Sequence, residues 1–139
     1  MEIIRRNTDY GFRALVHLAA NPGLVVNAGD ISASMEMPIE YLQKILQKFT
    51  RAGLVVSHRG AHGGFSLARD PRQVTVLDVV EIMQGKLTMN KCFLGKEGCS
   101  RAPKCKLKNT WLDMEQKMLA FMREITLQDL VEQLQGNDL

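Results

Sequence analysis

The sequence predicts a mainly α-helical fold with one small β-hairpin. Apolar residues recur at helical spacing along most of the 139-residue chain, whereas two short strand-like stretches, 54–58 and 65–67, lie on either side of a glycine-rich turn. A chain of this length with 45% hydrophobic residues has enough apolar material for a single core. We therefore expect one domain over 1–139.

Three helices are expected before the hairpin. The first spans about 8–20, with Thr8 as its cap and Asp9 in its first turn. A second, short helix begins near Asn27, and Pro38 opens a third. The third helix carries a stripe of apolar residues that we expect in the core: Ile39, Leu42, Ile45, Leu46 and Phe49.

The hairpin follows the third helix directly. Strands are expected over 54–58 and 65–67, joined by the turn 59–64, and a fourth helix over 74–84. Three helices followed by a hairpin is the element order of a winged helix-turn-helix. In that fold the third helix enters the major groove of a duplex, while the hairpin, called the wing, contacts the backbone or the minor groove.

The polar face of the third helix and the wing carry candidate DNA contacts. Residues 38–62 hold four Lys or Arg side chains against one Glu, a balance of +3. Glutamine and glutamate hydrogen-bond to base edges, whereas lysine neutralises phosphates. Winged helices also occur as protein-binding modules, so a role without DNA stays open. The candidate contacts are Glu40, Tyr41, Gln43, Lys44, Lys48, Arg59 and His62.

All three cysteines lie in one short basic loop between residues 92 and 105. Residues 86–108 hold seven basic side chains against Glu97 alone. The Cys-x6-Cys-x5-Cys spacing lacks the close cysteine pairs of a zinc ribbon or a two-cluster ferredoxin. Three explanations stay open: a metal or iron-sulfur site completed by a distant ligand, a thiol redox switch, or no shared site. Nearby cations stabilise thiolates and anionic clusters, which favours the first two.

A long helix is expected over about 107–125, and a last helix over about 126–135. Apolar residues of the long helix recur at alternating steps of four and three, which is typical of a helix that packs on another helix. They are Leu107, Trp111, Met114, Met118, Phe121 and Ile125. The stripe is either part of the core or a dimerisation surface, and a domain this small has little core left to cover it. A dimer would also place two third helices on one duplex.

In this order the segments resemble the IscR/NsrR-type winged-helix transcription regulators, which sense iron-sulfur status, redox state or nitric oxide through a cluster. The resemblance rests on TDYGFRAL (8–15), PIEYLQKILQKFTRAGLV (38–55), RGAHGGFSLAR (59–69), the cysteine loop and ITLQDLVEQ (125–133). It implies a homodimer, formed by the long helix, that binds a palindromic operator as a repressor.

The resemblance also implies an iron-sulfur cluster bound by Cys92, Cys99 and Cys105. Regulators of cluster biogenesis add a histidine three positions after the last cysteine, where this chain has Lys108. Nitric-oxide-sensing members instead use an aspartate of the partner subunit, which corresponds to Asp9 and favours a 4Fe-4S over a 2Fe-2S cluster. Asp9 equally suits the first turn of a helix without any metal.

The sequence thus predicts a DNA-binding part (about 8–85), a cluster-binding loop (about 86–106), a dimerisation helix and a C-terminal helix. The leading hypothesis is a cluster-dependent transcription regulator, and the alternative is a cluster-free thiol redox switch. An enzyme with a small-molecule substrate is not expected, because no base is paired with a cysteine and no phosphate-binding loop is recognisable. The chain lacks a long apolar run and a secretion signal, which predicts a cytoplasmic protein without membrane contact.

Overall fold

The structure, a computed structural model, describes residues 2–90 and 98–136. It is mainly helical with one two-stranded antiparallel hairpin, so the predicted fold class is confirmed. The elements are α1 (Arg6–Ala19), α2 (Ala28–Met35), α3 (Ile39–Arg51), β1 (Val55–His58), β2 (Gly64–Leu67), α4 (Val76–Gln84), α5 (Leu107–Glu124) and α6 (Leu127–Gly136). Their functional division stays a prediction.

The start of α1 differs from the prediction. Arg5 is the N-cap and the chain is already helical at Arg6, so the prediction that Thr8 caps this helix is wrong. Thr8 is instead fully buried, and its hydroxyl has no hydrogen-bond partner within the described part of the chain. The Gln84 side chain accepts from the Arg5 N–H at 2.8 Å and donates to the Ile3 carbonyl at 2.9 Å. The residues before α1 are thereby attached to the end of α4.

Helices α2 and α3 form the helix-turn-helix. The Asn27 side chain caps α2 by accepting from the Gly29 N–H at 2.6 Å, and Glu36 ends that helix in the left-handed conformation at φ 51°. Four of the five predicted core residues of α3 are buried, which confirms the amphipathic pattern. The fifth, Ile39, is 42% exposed, because it occupies the first turn of α3 beyond the edge of the core.

The core is built around α1, which packs against α2, α3, α4, α6 and β2. Phe49 of α3 is fully buried, and its ring lies directly on Gly11 of α1. A Cβ atom at Gly11 would be 2.8 Å from Phe49 Cζ and 3.6 Å from Met83 Cε. Glycine at this position therefore lets three helices meet at one point.

The wing is the hairpin formed by β1 and β2, with His58 opposite Gly64 and Val55 opposite Leu67. Both strands match the prediction to within one residue at each end. A further bridge joins β2 to the segment before α2, because Val26 and Phe65 exchange two backbone hydrogen bonds of 2.8 Å each. The wing is thus held against the helix-turn-helix.

Similar N-terminal caps stabilise the first turns of α4 and α6, the helices before and after α5 in the chain. Thr75 accepts from the Asp78 N–H at 3.1 Å, and the Asp78 carboxylate accepts from the Thr75 N–H at 2.9 Å. Thr126 and Asp129 repeat this capping box before α6, with distances of 3.1 and 2.8 Å. The threonine and aspartate side chains thus satisfy backbone donors that a helix start leaves open.

Helix α5 packs on α4 through a second, smaller apolar cluster, whose buried members are Val76, Leu77, Val80 and Met122. The carboxylate of Glu115 is also buried on this side and accepts from the Met89 N–H at 2.6 Å. Most of the remaining surface of α5 is open. No helix in the described ranges combines the length and the apolar character needed to cross a bilayer.

We expect Gly11→Ala to destabilise the protein. Alanine improves helix propensity by about 1 kcal/mol, but its methyl group would overlap the Phe49 ring, and overpacking costs about 1–3 kcal/mol. The net fall in the free energy of unfolding in urea should be up to about 2 kcal/mol, because the gain in helix propensity offsets part of the overpacking cost. The matched control is Gly136→Ala in α6, where a Cβ meets nothing within 4 Å. Equal stability of the two variants would contradict the close α1–α3 packing.

Candidate nucleic-acid interface and cysteine segment

The outward face of α3 is continuous and polar. Residues four or seven positions apart lie on the same side of a helix, so Gln43 and Gln47 share one side of α3. Lys44 and Arg51 share a side in the same way. These side chains and Glu40 are exposed opposite the buried stripe. Gln47 and Arg51 belong to the polar face that the sequence predicts for this helix, and the structure exposes both of them beside the candidate contacts.

Tyr41 lies on one flank of this face. Its ring contacts the ring of Tyr10 edge-on, with the centroids 5.9 Å apart and the planes at 85°. Arg6 donates from Nε to the Tyr10 hydroxyl at 3.0 Å, and this hydrogen bond raises the pKa of the Arg6 guanidinium above its ordinary value. Tyr41 therefore links α3 to the first turns of α1 while remaining 39% exposed.

Lys48 lies on the same flank, and its ammonium has a partner within the chain. It donates from Nζ to the Met83 carbonyl oxygen at 3.1 Å, in the last turn of α4. A cation at the C-terminal end of a helix stabilises the carbonyl groups left open there. Lys48 as a DNA contact stays a prediction, although this hydrogen bond competes with a phosphate for the same ammonium.

The wing tip presents Arg59 and His62 to solvent. The turn is closed by a hydrogen bond of 2.9 Å from the Gly63 N–H to the Gly60 carbonyl. A Cβ at Gly63 would overlap the His58 carbonyl oxygen, so this turn needs a residue without a side chain. The tight tip fixes where Arg59 and His62 stand relative to the strands.

A groove of about 330 Å³ separates the wing from the start of α3. Gly64 lines it and lies close to the backbone before α2, since a Cβ there would overlap the Val26 carbonyl oxygen. Its lining includes Asn27, Ile39, Gln43 and His58. His58 Nε2 is hydrogen-bonded to Ser66 Oγ at 2.7 Å, which orients the imidazole on the wing. The groove and the helix face together form the candidate nucleic-acid interface.

The cysteine segment is described from Gly98 onward, and Cys92 lies outside the described residues. Cys99 is exposed and Cys105 is half-buried, and both are free thiols. They flank a 3-10 turn, Ala102–Lys104, whose hydrogen bonds run from the Lys104 N–H to the Arg101 carbonyl at 3.1 Å and from the Cys105 N–H to the Ala102 carbonyl at 3.5 Å. Over residues 2–90 and 98–136, no three His, Cys, Asp or Glu side chains converge on a common point.

Asp9 lies in the first turn of α1, and its side chain is about half exposed. Its carboxylate forms an ion pair of 2.9 Å with Arg13, and both side chains are more than half exposed. The pair borders an open groove of about 670 Å³ between α1, the end of α2 and Leu134 of α6. A second subunit can therefore reach the Asp9 carboxylate from solvent.

The candidate dimerisation residues divide into two groups on α5. Met118 packs against the protein's own α4 cluster, and Trp111 is half-buried. Leu107, Met114 and Phe121, spaced seven residues apart, are 61%, 47% and 63% exposed. These three residues form an apolar ridge, here called the α5 ridge, on one side of the helix.

A helix-turn-helix with an exposed polar third helix and an anchored wing is the architecture of a winged-helix protein. The chain belongs to the Rrf2 family, described as iron-dependent transcriptional regulators, whose family model matches residues 4–133. It is therefore a transcriptional regulator and not an enzyme.

Individual relatives cover most of the chain. The HTH-type transcriptional regulator IscR of Cronobacter sakazakii is 31% identical over 123 residues, which are 88% of this chain and 75% of that protein. The structure of T. potens IscR is similar with a TM-score of 0.77 and 26% identity, covering 98% and 90% of the two chains. CymR, the global cysteine regulator of B. subtilis, has a TM-score of 0.78 at 24% identity over 95% and 98%, which shows a shared fold.

The two lysines of α3 are expected to differ in their contribution to DNA binding. Removing one lysine–phosphate interaction lowers the magnitude of the slope of log affinity against log salt by about one. On a mixed-sequence duplex, Lys44→Met should lower that magnitude, whereas Lys48→Met should leave it nearly unchanged because its ammonium is bound to Met83. Fluorescence anisotropy over a series of salt concentrations measures both. Equal reductions would mean that Lys48 leaves Met83 to bind DNA.

Proposed function

We propose that this regulator binds a palindromic operator as a homodimeric repressor, and that its affinity responds to an iron-sulfur cluster held by Cys92, Cys99 and Cys105. The signal would be redox state, nitric oxide or iron-sulfur status. The observation that supports this most is the accessible pair of thiols, Cys99 and Cys105, in the basic segment that joins α4 to α5.

The described residues fit such a group. Thiolates are the ligands that iron-sulfur clusters use, and both described thiols are open to solvent at least in part. Arg101 precedes the 3-10 turn between the two thiols and Lys104 ends it, and both cations would offset the negative charge of thiolates and cluster. When bound, the cluster would supply one-electron chemistry and a site of reaction for nitric oxide.

Asp9 is proposed as the fourth ligand, donated by the other subunit. Its partner Arg13 holds it through an exposed ion pair, and such pairs contribute only about 0–1 kcal/mol. Exchanging this pair for a metal bond therefore costs little. The ligand would connect the cysteine segment of one subunit to the α1 of the other, and an aspartate ligand favours the 4Fe-4S form.

The end of α4 offers a path from the cysteine segment to DNA within one subunit. Met83 and Gln84 are its last residues, just before that segment begins. Met83 is bound by Lys48 of α3, and Gln84 holds the backbone just before α1. A displacement of this end of α4 would be transmitted to α3 through Lys48 and to the first turn of α1, which carries Asp9, through Gln84. A coupling free energy of about 1–3 kcal/mol between two sites is typical of allosteric proteins.

A second candidate is a thiol redox switch without a cluster. The exposure of Cys99 favours it, since oxidation selects accessible thiols near cations. The similarity in fold to CymR, a cysteine regulator, is compatible with this candidate. Here a disulfide or sulfenate in the cysteine segment would change the affinity for DNA.

The cluster proposal is tested on protein purified without oxygen. We expect visible thiolate-to-iron charge-transfer absorption, with iron and acid-labile sulfide in each chain. Cys105→Ala should lose iron and sulfide while its far-UV circular dichroism is kept, because Cys105 lies outside both apolar clusters. Ser100→Ala in the same segment is the matched control and should retain both.

A colourless wild-type protein after anaerobic reconstitution would overturn the cluster proposal. If peroxide then lowers DNA affinity and dithiothreitol restores it, the thiol switch is the function. If Asp9→Ala keeps iron, sulfide and the spectrum unchanged, the cluster stands and its fourth ligand is another group.

The dimer is tested through the α5 ridge. Phe121→Glu would place an unpaired carboxylate in the interface, a cost of several kcal/mol, so its mass in sedimentation equilibrium should fall to that of one chain. Gln116→Glu introduces the same charge on a different side of α5 and should leave the wild-type mass unchanged. A wild-type monomer would contradict the homodimer, and a dimeric Phe121→Glu would place the interface elsewhere.

A further inference from the structure

Ile39 is the residue of α3 whose side chain is more exposed than its place in the apolar pattern predicts. The apolar spacing places it in the core stripe, yet it is 42% exposed, whereas Leu42, Ile45, Leu46 and Phe49 are at most 5% exposed. It is also the first residue of the helix. In helix-turn-helix proteins the N-terminal residues of the recognition helix contact base edges. The exposed side chain therefore lies where sequence is read.

The surroundings of Ile39 orient it toward the candidate nucleic-acid interface. Its Cδ1 atom would lie 4.0 Å from a Cβ placed on Gly29, so one side of the side chain rests on the start of α2. The other side borders the groove between α3 and the wing, beside Asn27, Gln43 and His58. Among these polar neighbours, Ile39 supplies an apolar contact point held in place by α2.

The major groove offers one apolar group on its base edges, the C5-methyl group of thymine. Every other group there is a hydrogen-bond donor or acceptor, which an isoleucine leaves unsatisfied. We propose that Ile39 is a specificity-determining residue that contacts a thymine methyl group in each half of the binding site. This inference rests on the proposed placement of α3 in the major groove.

Gln43 strengthens the assignment. It lies one turn after Ile39 on the same side of α3, and both residues line the same groove. A glutamine side chain pairs with the N6 and N7 atoms of adenine in the major groove. The two residues together would select A·T pairs close to each other within a half-site.

The test removes the methyl group and nothing else. A preferred duplex is first selected from a random-sequence pool with the wild-type protein, and each thymine is then replaced singly by uracil. Removal of the relevant methyl group should weaken wild-type binding about fourfold, which corresponds to about 0.8 kcal/mol for one buried carbon. Ile39→Ala should bind the thymine and uracil duplexes equally at that position.

Leu24→Ala is the matched control, because Leu24 is 58% exposed in the loop between α1 and α2. It should retain the wild-type pattern of uracil effects. Wild-type binding that is indifferent to uracil at every position would overturn the inference, as would Ile39→Ala with an unchanged pattern. Failure to bind any duplex in a salt-dependent manner would instead overturn the proposed DNA-binding function itself.

Discussion

The contact between Gly11 and the Phe49 ring fixes how α1 and α3 are placed. Glycine within a helix costs about 1 kcal/mol relative to alanine, but here it admits a fully buried aromatic ring that also reaches Met83 of α4. With the ring 2.8 Å from the position of a Cβ, a side chain at this position would force α1 and α3 apart. The helix that carries Asp9 and the helix that carries the candidate DNA contacts are therefore packed directly against each other.

The end of α4 adds polar contacts to this apolar centre. Lys48 and Gln84 bind backbone groups 35 and more residues away, at the point where the chain leaves the winged-helix core for the cysteine segment. Because the partners are backbone groups, these hydrogen bonds depend on where the backbone of Met83 and Arg5 lies and not on the side chains of those two residues. The cysteine segment follows these hydrogen bonds along the chain, so the proposed chemistry at its thiols would take place in the segment that continues from this end of α4.

The order of the elements could be predicted from the sequence, because helical periodicity, the glycine-rich turn and the capping residues are local signals. Thr8, Ile39 and Lys48 show what local signals miss. Helix α1 begins before Thr8, the residue best suited to cap it. Ile39 follows the apolar pattern but lies beyond the edge of the core, in the first turn of α3. Lys48, on the polar face of α3, donates a hydrogen bond to a carbonyl of another helix. The cysteine spacing favoured a shared site, and the fourth ligand proposed for it comes from another subunit, which local signals in one sequence do not reveal.

The buried face and the outward face of α3 have separate roles in the structure. The buried face consists of Leu42, Ile45, Leu46 and Phe49, while the side chains on the outward face contribute little to the core: Glu40, Gln43, Lys44, Gln47 and Arg51. After a gene duplication, substitutions on that face can therefore accumulate at small cost in stability. Two copies that share a sensor can in this way diverge to control different promoters, and the same separation makes the helix a convenient template for designing regulators that do not cross-react.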